Sequence, residues 1–412
     1  MDYGMVSAAD QTIPGCMTSP HRRERRGLWL GPMPSHAALT ELPALSPAAV
    51  HWEEGLFSGL KAQGFELSVV SHRPERLWPR GRLTPGTQPA PDDASFPTHV
   101  VGHMNAPGLR TRSLAWAYER KALELVARGP YAFVATFNPL PWHVAAATAL
   151  VRQHATPWVS FLLDDVLHDP TLERYARATR LASGHVILSA AAAERITTLM
   201  PGTPVLHLDG AINRWSGEEA EPFGPGRPHV VYSGAHTEEA GMSLLVAAIP
   251  LVTADVAFTI TGDRGHHAGL DLLMSRDPRV EMVGWVPPES IDEICRSATA
   301  FVNPRPPAHG LSLASFPSKL MTYLAYGKPV ASTWTPGLAD VYKDLLVVAD
   351  GDTPRALATA IEHALSMDAH SRQILRNKIR AFLVPGRLWA TQGLRFAEFL
   401  DRRINAVEPA AR

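Results

Sequence analysis

Cysteine is nearly missing from this chain: Cys16 and Cys295 are the two in 412 residues. That excludes a disulfide framework and favours a reducing compartment. Net charge is nearly missing too. Lys and Arg together number 39 against 40 Asp and Glu, for a formal charge of −1, so no global field recruits nucleic acid or an anionic membrane. No apolar run reaches the roughly 18 residues a membrane span needs, and the N-terminus lacks the apolar core of a signal peptide. These absences predict a soluble, cytoplasmic protein without nucleic-acid partners or a transmembrane segment, with peripheral membrane contact left open. GxSxG, HExxH and a Walker loop are absent as well, so hydrolase and NTPase chemistry find no support.

What is present is ordinary globular material, 45% hydrophobic and 19% charged, and long enough for two cores of normal size. Residues 1–26 show no periodicity and read as an extension, its basic knot HRRERR (21–26) a solvated tail. From Gly27 short apolar strands alternate with helical stretches. GLWLGPMP, FELSVVSH, YAFVATFN, WVSFLLDD, GHVILSA and PVLHLD read as strands, and the Pro-rich 74–97 as a loop. Strands with little polar alternation, separated by helices, predict a parallel sheet covered on both faces. The stretch 213–228, rich in Pro, Gly and charge, reads as a linker, after which the alternation restarts with HVVYSG. The expected plan is α/β, with two Rossmann-like domains at 27–212 and 229–386 facing a cleft. A closing amphipathic helix and tail at 387–412 crosses back to the first domain.

Four segments of the second half carry a resemblance. VVYSG (230–234), FTITGD (258–263), VEMVGWVP (280–287), and FVNPR followed by FPSKLMTYLAYGKPVAST come in that order over more than a hundred residues. Together they resemble the donor half of a GT-B glycosyltransferase of the large retaining family 4 (group 1), in a branch reading NPR…FPSK-x-x-E-Y-L. The first half matches only in general pattern. The resemblance implies transfer of a sugar from a nucleotide-diphosphate sugar, a co-substrate and not a cofactor. The acceptor would be a soluble small molecule or a glycan, and no metal would be involved. A non-hydrolysing nucleotide-sugar epimerase and a binding subunit without turnover stay open as alternatives.

The residues themselves fit an anion. Pro317 suits the first position of a helix in SFPSKLMTYLAYG, with Ser315 or Phe316 in the cap region and Gly327 at its end. Lys319 then stands in the first turn, where the helix dipole repels cations unless an anion lies between them. Arg305, after the strand TAFVNP, can add a second phosphate contact. These two are the candidate catalytic residues, stabilising the departing diphosphate. Gly234, His236, Gly262, Trp285, Val286, Ser318 and Thr322 are the candidate donor-binding residues. Thr322 stands where the family carries a glutamate that grips the ribose. A second glutamate would fall on Ala314, and the usual basic pair after the first glycine turn is missing, leaving His236 or Arg264 to contribute. On the acceptor side the candidates are Asn138, His143, Asp164 and Asp165. His143 reads first as packing, and DDVLHD (164–169) as a loop before a magnesium motif.

Overall fold

The computed structural model describes residues 25–33, 35, 39, 42, 46–87, 96–163, 171–217, 226–262, 267–308, 312 and 315–404. Asp164, Asp165, Asp263, Arg264 and Ala314 lie outside the described residues, as do most of the extension and the middle of the linker.

The first half holds strands β1 (Arg25–Leu30), β2 (Phe65–Ser71), β3 (Thr98–Val100), β4 (Phe133–Phe137), β5 (Trp158–Leu162), β6 (Gly184–Ile187) and β7 (Val205–His207). Its helices are α1 (Pro47–Ala62), α2 (Arg110–Ala127), α3 (Pro141–His154), α4 (Thr171–Ala178) and α5 (Ala190–Leu199). The second half holds β8 (His229–Ser233), β9 (Ala257–Thr261), β10 (Val280–Gly284), β11 (Ala300–Asn303), β12 (Val330–Ser332) and β13 (Val347–Val348). With them come α6 (Met242–Ala248), α7 (Ala268–Arg276), α8 (Pro288–Ser297), α9 (Lys319–Ala325), α10 (Pro354–Ser366), α11 (Ala369–Gly386) and α12 (Trp389–Ile404).

Every strand pairing is parallel. The seven-stranded sheet runs β3-β2-β1-β4-β5-β6-β7 and the six-stranded one β10-β9-β8-β11-β12-β13. Both are doubly wound with the same order, reversing between their first and fourth strands. Alternate residues explain the two covered faces. In β1, Leu28 and Leu30 join Val70, Tyr118 and Leu150 beneath α2 and α3, while Trp29 joins Phe57, Phe133 and Phe161 on the opposite face. In the second sheet Val230 and Tyr232 face one core and Val231 another.

α12 closes the first domain, as expected. Trp389 packs edge-on to Trp52 at 5.7 Å, Phe396 packs on Phe133 and Phe161, and Asp401 pairs with Arg25 at 2.9 Å. The chain crosses between domains at two places that are themselves joined. The Ile212 amide donates to the Arg387 carbonyl at 2.8 Å, and the Trp389 amide to the Ile212 carbonyl at 3.2 Å. Asp209 holds this junction: it is 1% exposed, pairs with Arg387 at 2.9 Å, and accepts from the Tyr342 hydroxyl at 2.7 Å.

The structure differs from the sequence expectations in several places. Arg25 and Arg26 open β1 and are no solvated tail, because Asp401 pairs with the first and the Tyr131 ring lies under the second at 4.4 Å. Thr98–Val100 forms an edge strand past the loop, and α7 fills the interval between β9 and β10. α11 is an addition too. Its inner face carries the buried Arg372, which donates to the Met367, Ala364, Leu365 and Thr299 carbonyls and so satisfies the end of α10. Leu375, Ile379 and Leu383 continue the same face at helical spacing, so the buried stripe is apolar after its first residue.

Candidate active site

The donor-half site is built where the strand order reverses, between the carboxyl ends of β8 and β11, the usual position for a ligand in such sheets. A cavity of about 180 Å³ opens there, lined by Thr237, Glu239 and Ala240 after β8, by Asn303 and Arg305 after β11, and by Pro317, Ser318 and Lys319. A second recess of about 410 Å³ lies beside α10 and includes none of these residues.

Lys319 is the centre of the arrangement. Its ammonium donates to the Tyr232 hydroxyl at 2.9 Å and sits 4.2 Å from the centre of the same ring. Tyr232 in turn donates to the Ala235 carbonyl at 2.6 Å, fixing the turn that follows β8. That turn needs glycine: Gly234 has φ +152°, and a Cβ there would overlap the Lys319 Cε and Nζ. Burial, and then the nearby Arg305, push the Lys319 pKa down from 10.5 to about 7. Arg305 donates to Ser315 Oγ at 2.5 Å, while its carbonyl accepts from Thr333. Two cations thus share one small cavity, whose lining carboxylate, Glu239, is exposed. Such a pair is poised for a polyanion, since each ammonium or guanidinium desolvated beside the other is stabilised when negative charge arrives.

The helix carrying Lys319 begins later than the sequence suggests. Pro317 and Ser318 precede it, Ser318 is the cap residue, and α9 has only seven residues. The Leu320 amide bonds back to Pro317 and Met321 to Ser318, so the entry is a tight turn. With two turns of aligned peptides, the charge at this site comes mainly from Lys319 and Arg305. Gly327 ends the helix at φ +63°. Tyr323, on the inner face, stacks on Phe301 at 4.5 Å and accepts from the Ser233 amide at 2.8 Å, which locks α9 to β8.

Of the other donor candidates, Ser318 lines the cavity, and Gly234 lies beside it against the Lys319 side chain. Thr322 is exposed one turn beyond Lys319. His236 is buried with its Nε2 3.4 Å from the Thr261 carbonyl, and it is not among the cavity residues. Gly262 is hydrogen-bonded to Gly284 at 2.8 Å, beside the first glycine turn. Trp285 is 66% exposed and Val286 half-buried, on the loop after β10. Asn303 lines the cavity but gives its amide to Ser332 Oγ at 2.9 Å. Thr237, which lines the cavity, and Tyr232, which holds Lys319 at its edge, carry no motif signal. Tyr232 sits inside VVYSG, where alternation alone marks it as core.

On the acceptor side Asn138 and His143 come together. Asn138 has φ +56° and its Oδ1 accepts from the Leu163 amide at 2.9 Å, tying β4 to β5. His143 Nδ1 lies 3.0 Å from the Asn138 carbonyl, and burial pushes its pKa down to about 4. The carboxyl edges of the two sheets meet. Ala190 and Ala191, after β6, donate to the Gly337 and Pro336 carbonyls after β12, and Gly210, after β7, lies against Met321 and Phe316.

Residues 227–367, which contain the whole cavity, match the family of glycosyl transferases group 1. The second half of the chain therefore carries the match to glycosyl transferases group 1. No curated protein matches the chain in sequence. Solved structures do match, over nearly the full length. Sucrose-phosphate synthase from Thermosynechococcus elongatus superposes with TM-score 0.68 at 14% identity, over 93% of this chain and 100% of that one. Trehalose 6-phosphate synthase from Burkholderia multivorans gives 0.67 at 12% identity, over 93% and 100%. Anabaena HepE, solved with UDP-glucose, gives 0.62 at 13% identity, over 92% and 99%. The two-domain GT-B fold therefore extends beyond the glycosyl transferase domain to the whole described chain. Among the described residues, no helix is long and apolar enough to cross a membrane.

Proposed function

We propose that this protein is a retaining glycosyltransferase of the family 4 kind, using the NPR…FPSK-type donor site. It would move a sugar from a nucleotide-diphosphate sugar to a soluble small-molecule or glycan acceptor, without metal. The observation that carries the proposal is Lys319 and Arg305 in one cavity at the reversal point of the group 1 domain. In this reading both cations hold the diphosphate, and the C–O bond to the sugar breaks as negative charge builds on the departing oxygen. Lys319, desolvated beforehand, gains most from that charge, so its effect is larger in the transition state than in the bound donor. The acceptor hydroxyl attacks from the same face, and closure of the two carboxyl edges keeps water away from the cationic sugar centre. In this reading the charge on the diphosphate is met by Lys319 and Arg305, and the metal requirement is decided by the assay below. The fit of the fold to HepE, whose structure was solved with UDP-glucose, makes a uridine donor the first to assay.

The test is sugar transfer from a panel of UDP-, GDP- and ADP-sugars after EDTA treatment, with the product anomer read by NMR. We expect turnover within about twofold of the untreated enzyme and a product of unchanged anomeric configuration. An inverted product refutes retention, and activity that returns only with magnesium or manganese refutes metal independence. Release of an epimerised sugar without any acceptor selects the epimerase instead.

A further inference from the structure

A cluster of basic side chains at the carboxyl edge of the first sheet takes no part in the donor chemistry. His72 directly follows β2, His103 follows β3, Arg110 is the first residue of α2, Tyr118 lies two turns further on, and His143 is in the first turn of α3. His72 Nδ1 is 2.9 Å from the Tyr118 hydroxyl, and its ring meets that of His103 edge-on at 5.4 Å. The ring of His143 lies 5.1 Å from that of Tyr118.

His103 is only 7% exposed, and neither of its ring nitrogens has a hydrogen-bond partner. His143 Nε2 and Arg110 Nε are likewise buried and unpartnered. Folded proteins rarely leave buried polar atoms unpaired, and several gathered from three separate elements mark a place where a ligand supplies the acceptors. Glu75, a carboxylate within electrostatic reach of His103, is already engaged by the Arg82 amide at 2.8 Å and by its guanidinium at 3.6 Å. Three histidines suggest a metal, yet among the described residues no such group has the placement to chelate one, and the Arg110 cation stands among them. Neutral imidazole N–H groups beside a guanidinium suit an oxyanion instead. Donors arriving from β2, β3, α2 and α3 match a tetrahedral group with three terminal oxygens better than a flat carboxylate with two.

We propose that this cluster binds the phosphate group of a phosphorylated acceptor, His103 and Arg110 being its main contacts. The proposal rests on the transferase reading above for the word acceptor, since the edge carrying the cluster belongs to the sheet whose carboxyl ends meet the donor half. It is tested by calorimetric titration of inorganic phosphate and of glucose 6-phosphate into the full chain with the donor cavity saturated by UDP. Wild type is expected to bind both, and to bind glucuronate at least about tenfold more weakly. His103→Ala and Arg110→Gln should each weaken phosphate at least about tenfold, the loss expected for a hydrogen bond to a charged group, with UDP affinity unchanged. The melting temperature of His103→Ala should stay level or rise, because an unpaired buried group is removed; His103→Gln serves if that variant fails to fold. Equal phosphate affinity in wild type and variants overturns the proposal. So does phosphate that competes with UDP, or a preference for glucuronate. If UDP does not bind while a His103-dependent phosphate titration persists, the donor reading falls and the anion site stands.

Discussion

Lys319 gives the sharpest test of the donor site, because its desolvation can be read without any acceptor. In the free protein its pKa is held near 7 by burial, and then by Arg305; in the unfolded chain it returns to about 10.4. The folded pKa lies below the unfolded one. Between these values the unfolded chain binds more protons, so stability rises with pH from about 7 to about 10 and is lowest below 7. Each unit is worth about 1.4 kcal/mol, and with the ammonium partly solvated at the cavity mouth the cost below pH 7 is on the order of 3 kcal/mol. A bound diphosphate reverses the imbalance by restoring the charged form. At pH 8 a group of pKa about 7 is roughly one-tenth protonated, so UDP binding should draw close to one proton from the buffer. Calorimetry in two buffers of different ionisation enthalpy reads that uptake directly. In Lys319→Met the uptake should vanish, kcat/KM should fall at least about a hundredfold, and the melting temperature below pH 7 should rise. Equal proton uptake in wild type and variant would refute the reasoning, whatever the kinetics show. So would a variant less stable at pH 6.

Three further outcomes are expected. Thr322→Ala should weaken UDP by no more than about 1 kcal/mol, one neutral hydrogen bond, while Thr322→Glu should tighten it; unchanged affinity in both by calorimetry places the ribose elsewhere. Asp209→Ala strips the partner from Arg387 and Tyr342 in a buried setting, so urea unfolding should show a loss of about 3–5 kcal/mol. Gly393→Ala should lose about 1–3 kcal/mol to overlap with the Gly59 backbone in the opposing helix, although alanine ordinarily strengthens a helix interior; a stabilised variant would mean that α1 and α12 pack less closely.

The plan of the fold was open to sequence reasoning because the strands announce themselves. VVYSG and FVATF carry apolar residues on both faces, and FTITG alternates Phe and Ile with threonines that are themselves buried, as a doubly covered sheet requires. The elements that escaped are a helix whose apolar stripe, Leu375, Ile379 and Leu383, is short and begins with a buried arginine, and a strand of minimal length. Helix α11 buries Arg372 against the carbonyls that end α10, and β3 is three residues long. In the site, Lys319 and Arg305 were visible because their flanking glycines and prolines have a fixed order along the chain. Tyr232 was not, since nothing in a strand's alternation says that a buried tyrosine will meet a lysine 87 residues away. His72 and His103 sit in aperiodic loops, and only the pairing of β2 with β3 brings them together.

The return of α12 bears on how the chain is made. Phe133, Phe161, Trp52 and Gly55 of the first domain are covered by Trp389 and Phe396, near the far end of the sequence. During synthesis the first sheet emerges early with one face covered only by α1, and its last layer arrives only after the donor half has been made in full. Wide apolar surfaces of this kind are aggregation-prone while they wait. A chain stopped at Gly386 leaves that face half covered for good, so the loss of α12 falls on the folding of the opposite end of the molecule.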